Sequence, residues 1–139
     1  MKKSYIIDYH SPDIDLESFI PQPYDDFAFV LQLFVGIEGE KGEECFDIFV
    51  CTPKWIEHNY TKQTIITGLH TIIVQEYNFP KIKEALDEIF SIEGATWQEI
   101  TNRISYYGRS EMDYTHWSYN KKSVRCGMGM AKRSIKKVI

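Results

Sequence analysis

Cysteine is scarce in this chain and odd in number: Cys45, Cys51 and Cys126. The three have neither zinc-site spacing nor the density of a secreted disulfide scaffold, so a reduced, cytoplasmic protein is expected. Long apolar runs are also missing. The longest, residues 27–37, is broken by Gln32 and falls far short of a membrane span. Lys2 and Lys3 look like the start of a signal peptide, but the apolar run behind them ends at Asp8, too soon for a signal core. No GxGxxG, GxxxxGK[ST] or GxSxG occurs, and Gly127 and Gly129 in CGMGM have no strand before them. His10, His58, His70 and His116 are dispersed, with no HExxH or Cys-x-x-Cys, so no metal and no other cofactor is expected. Asp13 and Asp15 match two ligands of a calcium loop whose remaining positions are absent. Acidic residues are missing altogether from residues 121–139.

That last absence exposes a charge asymmetry. The net charge is −4 over 139 residues, yet residues 1–120 carry nine basic side chains against all 20 acidic ones, a deficit of eleven. The other seven basic residues lie in the tail. An acidic body with a basic extension implies two electrostatic tasks, or one task and an accessory segment. The size suits a single domain able to bury a core without staples. We place that domain at residues 1–119 and a basic C-terminal tail at 120–139. Aromatic residues make up 14% of the chain, and such side chains serve both cores and interfaces.

The organising stretch is CFDIFVCTPKW, residues 45–55. A strand runs to Cys51, Pro53 ends the ladder, and Thr52 is placed to cap a short helix over residues 53–59 carrying Trp55. Before it, FAFVLQLFVGI (27–37) is apolar on both faces, as a central strand is. The polar, glycine-containing EGEKGE (38–43) joins the two strands as a hairpin. Residues 4–9 read as a first strand, and 10–26, with three prolines, as a long loop. A further strand is expected over 69–76, and an amphipathic helix from Pro80 to about Ser91. Thr96 and Glu99 form a capping box opening a last helix to Tyr106 or Tyr107, stopped by Gly108. MDYTHWSY (112–119) is read as a last short strand. Strands first and helices late predict an α+β fold. The expected form is a small antiparallel sheet of about four strands, two main helices on one face, and a short helix after the central hairpin.

Cys51 near a helix N-terminus, with His58 seven residues on, is the one enzyme-like pair. No third group accompanies it, and free cysteine is among the most buried residue types. A structural Cys51 is therefore favoured, with a cysteine-dependent enzyme as the alternative. Asp25, Asp26, Glu38, Glu40, Glu43 and Glu44 flank the hairpin as an acidic rim. Such a rim keeps a sheet edge soluble, or meets a basic protein partner. The tail suggests a third reading, a small nucleic-acid-binding module, although a flexible end without specific contacts accounts for it as well.

The phrase Cys51-Thr52-Pro53-Lys54-Trp55, the preceding strand and glycine turn, HTIIVQEYN, and Trp97-Gln98-Glu99-Ile100 together resemble the immunity protein 8 family of bacterial polymorphic toxin systems. The resemblance covers roughly residues 3–115. It implies a non-enzymatic, cytoplasmic protein that binds and neutralises a cognate toxin domain; the acidic, aromatic-bearing composition adds the expectation of stoichiometric occlusion of a basic cleft, as in a nuclease. Cys51, Pro53, Trp55 and Trp97 correspond to fold determinants of that family, and no toxin-contact residue carries over. The tail departs from the family pattern, and the oligomeric state is left open.

Overall fold

A computed structural model of the protein describes residues 1–111. The elements run β1 (Lys2–His10), β2 (Ala28–Ile37), β3 (Glu44–Cys51), α1 (Pro53–Asn59), β4 (Thr71–Ile73), α2 (Phe79–Ile89), β5 (Glu93–Gly94), α3 (Trp97–Ile104) and β6 (Arg109–Ser110). The sheet order is β4-β3-β2-β1-β5, with β6 pairing the outer side of β3 near its start.

The β2–β3 hairpin forms as its alternation demands. Its antiparallel register is unbroken from Ala28↔Cys51 to Val35↔Glu44. Gly39 (φ 78°) and Gly42 (φ 104°) give the turn conformations that other residues adopt with strain. Phe29, Leu31, Leu33 and Val35 from β2 meet Phe46, Ile48 and Val50 from β3 in the main core. Ile82, Leu86 and Phe90 at α2, and Ile100 and Ile104 from α3, belong to the same cluster. Val30, Phe34 and Cys45 on the opposite face of the hairpin are buried as well, so β2 is a central strand covered on both sides.

β1 pairs with β2 through a bulge at Ile7, where the register slips between Ile6↔Val35 and Asp8↔Phe34. The extra residue switches side-chain parity, so Ile6 and Tyr9 both reach the core. Opposite the bulge, a Cβ on Gly36 would sit 2.6 Å from Ile7 Cδ1 and 2.9 Å from the Gly42 carbonyl oxygen, so only glycine fits. Ser4 is fully buried. Its hydroxyl donates to the Phe90 carbonyl (2.6 Å) and accepts from the Ile92 amide (3.0 Å), tying β1 to the segment after α2.

The loop between β1 and β2 is held at two points. Asp13 Oδ2 accepts the Val30 amide at 2.8 Å. The Phe19 ring stands edge-on to Tyr77, with centroids 4.9 Å apart, and packs on Phe27 and Phe29.

Each helix starts at the cap its sequence carries. Thr52, Asn78 and Thr96 accept the amides of Trp55, Lys81 and Glu99 respectively. Glu99 reaches back to the Ala95 amide at 3.2 Å. α3 ends earlier than expected, at Ile104, and a turn closed by the Gly108 amide on the Ile104 carbonyl (3.1 Å) follows it.

The sheet departs from the expected four antiparallel strands. It has six, and β4 runs parallel to β3. The strand expected over 69–76 shrinks to three residues, because only Thr71–Ile73 lie beside β3. The expected short strand 112–119 and the basic tail lie outside the described residues.

Candidate functional site

Cys51 lies at the inner end of β3 and is 1% exposed. Burial pushes its thiol up to about 11, the opposite of what a nucleophile at neutral pH requires. His58 instead contacts Asp26 at 2.7 Å. The Thr52 hydroxyl oxygen accepts both the Trp55 and the Phe27 amides at 3.2 Å, fastening α1 to the start of β2. Trp55 packs edge-on against Phe49 and Tyr60. The CTPKW stretch is therefore a corner of the fold. Cys51 is the free cysteine among the described residues. Cys45 is buried as well, at 2% exposed. Cys126 lies outside the described residues.

The six acidic residues do not make one rim. Asp25 and Asp26 sit before β2, beside the end of β3, where Lys54 (3.0 Å) and His58 from α1 pair with them. Glu38, Glu40, Glu43 and Glu44 stand at the other end of the hairpin. Ten residues of strand separate the two groups, about 30 Å at strand rise. At the turn, Glu40 pairs with Lys2, and Glu44 accepts the Ser110 hydroxyl at 2.5 Å. Glu111 joins this end. Burial, then Glu44 and Glu43, raise its carboxyl above the usual range. No group of three or more metal-ligating side chains occurs among the described residues.

The surface feature least expected from the sequence is the β4 margin. β4 is the outermost strand on its side of the sheet. Ile65 (81% exposed), Leu69 (73%) and Ile73 (60%) leave apolar side chains in solvent on the loop before β4 and on β4 itself. Below them a groove of about 370 Å³ runs between Ile72–Val74 and the Ile82, Ala85 and Ile89 side of α2. His70 enters the strand with φ 52°, and its ring Nε2 lies 2.8 Å from the Ser105 carbonyl, which it meets as a donor. The sequence signal was present, since Ile65 and Ile66 precede a glycine and fit no continuous alternation with 71–73. Their exposure depended on where the sheet ended, which local pattern does not encode. Trp97 is half-buried against the core from the start of α3.

These features define a small α+β protein with an exposed apolar margin at β4 and a group of carboxylates at the turn of its central hairpin. The model of the immunity protein 8 family matches residues 5–114, most of the chain, and the protein belongs to that family. Neither a curated protein nor a solved structure matches it beyond chance. No helix among the described residues is long and apolar enough to cross a membrane.

Proposed function

We propose that the protein neutralises a cognate toxin domain by one-to-one occlusion, without chemistry of its own. The observation that carries this reading is the family match over residues 5–114. The buried, high-pKa Cys51 and the engagement of His58 by Asp26 favour it over a cysteine-dependent enzyme. The acidic hairpin end of Glu38, Glu40, Glu43, Glu44 and Glu111 adds a field that would steer a basic toxin surface, such as a nuclease cleft, toward the protein. Asp25 contributes less to that field, since Lys54 offsets it. A standard interface of about 1,600 Å² would be sufficient for occlusion.

The test is direct. The toxin domain encoded in the neighbouring reading frame, inactivated for handling, is titrated with the full chain by calorimetry, and active toxin is co-expressed with it. One-to-one binding and restored growth are expected. Absence of binding, or rescue that needs catalytic turnover of a toxin product, would refute the reading.

A further inference from the structure

We infer that the outer edge of β4, unpaired among the described residues, and the groove beside α2 form the docking site for an extended segment of the toxin. That segment would be apolar at the residue entering the groove and basic beside it. The inference rests on the immunity reading above and names the surface that reading leaves unspecified.

The backbone supplies the first argument. The Phe49 amide donates to the His70 carbonyl, and the Val74 amide donates to the Cys51 carbonyl, both at 2.9 Å. A trans peptide points its N–H and C=O in opposite directions. The Thr71 N–H and the Ile73 C=O therefore face away from β3. Ile72, in register with Val50, turns its own N–H and C=O toward β3, so the Thr71 C=O and the Ile73 N–H also face outward. Two donors and two acceptors thus line the margin, and no described residue bonds them. An extended chain laid alongside can bond all four in place of water, which is the basis of recognition by strand addition.

The groove supplies the second. A strand laid along β4 places alternate side chains over α2. There Ile72, Val74, Ile82, Ala85 and Ile89 line the space, and Ala85 is exposed at its floor. An apolar side chain entering here removes apolar surface from water on both partners. The exposed Ile65 and Leu69 extend the same apolar margin along the loop leading into β4.

Charge selects the occupant. Glu76, Glu84 and Glu88 are exposed beside the groove, opposed there by Lys81. A second copy added across a two-fold axis would bring two α2 helices, and these carboxylates, face to face. Like charges so placed disfavour that pairing, whereas basic residues flanking a toxin strand would complement them. The acidic turn lies at the far end of β3 and acts through its field, so steering and docking occupy separate places.

Two variants and one label test this in the full chain, with the inactivated toxin domain as the probe. Ile73→Pro deletes an outward N–H without touching a bond inside the sheet, and Ala85→Trp fills the groove from an exposed helical position. Both variants are expected to keep the wild-type circular dichroism spectrum and to bind the toxin at least tenfold more weakly. Residue-resolved hydrogen exchange should show the Thr71 and Ile73 amides becoming protected on binding. If the wild type binds while both variants match it and those amides stay unprotected, the docking site is wrong and the immunity reading stands. If the wild type does not bind, the immunity reading falls and takes the docking site with it. Self-association of the wild type, abolished by the same variants, would assign the edge to a second copy and overturn the toxin as its occupant.

Discussion

Single side chains at the CTPKW corner decide between structure and chemistry. The Cys51 thiol ionises near 11 in place of its ordinary 9.0, because burial disfavours the thiolate. Its folded pKa is raised, so the stability linked to the neutral thiol is complete below about pH 9 and is lost as pH rises toward about 11. Iodoacetamide at pH 7.5 is accordingly expected to label Cys51 only after denaturation, and Cys51→Ser protein should still bind the toxin. Rapid labelling of the folded protein, with loss of binding, would return the cysteine to the centre of the function. Thr52 makes the complementary case. Its hydroxyl serves two amides, so Thr52→Ala leaves both without that acceptor and should cost about 2–3 kcal/mol in urea unfolding. Thr52→Ser should recover most of this. Equal losses in the two variants would show that the hydroxyl bonds matter little. The cap was legible because N-cap, proline and tryptophan are neighbours in sequence. The Ser4 latch to Phe90 and Ile92 was not, since its partners stand 86 and 88 residues away.

The same division holds for elements. The hairpin, α1 and the starts of α2 and α3 were legible because each is written in adjacent residues: turn glycines, a capping Thr or Asn, and a periodic apolar stripe. β5 and β6, two residues each, exist only because β1 and β3 lie beside them. The length and direction of β4 are likewise set by its neighbour β3. A β-branched run announces strand preference, but neither the parallel pairing nor the open outer margin is a property of the run itself. The bulge at Ile7 hides the alternation of β1, and Gly36 accommodates it from the opposite strand. The candidate site divides likewise. Six acidic residues were readable as a charge cluster, but their separation to opposite ends of one hairpin follows from register, which turns a sequence neighbourhood into two distant patches.

At the scale of the molecule, the charge distribution makes a kinetic prediction. Opposite charges attract across a Debye length of about 8 Å at physiological salt and about 30 Å at 0.01 M. A patch at one end of the sheet therefore governs the rate of encounter more than the lifetime of the complex. Reversal of Glu38, Glu43 and Glu111 tests this field while the Glu40–Lys2 pair and the Glu44–Ser110 bond are kept. The triple change to lysine should slow association with a basic toxin domain by about tenfold or more at low salt, with dissociation altered far less. It should also flatten the dependence of the association rate on salt. Stopped-flow mixing over a salt series measures both quantities. If the reversed protein associates as fast as the wild type with the same salt dependence, the acidic end has no steering role and serves only to keep the hairpin turn soluble. If dissociation accelerates strongly while association is unchanged, the turn is itself part of the contact surface, and the toxin must reach from the β4 edge to the far end of β3.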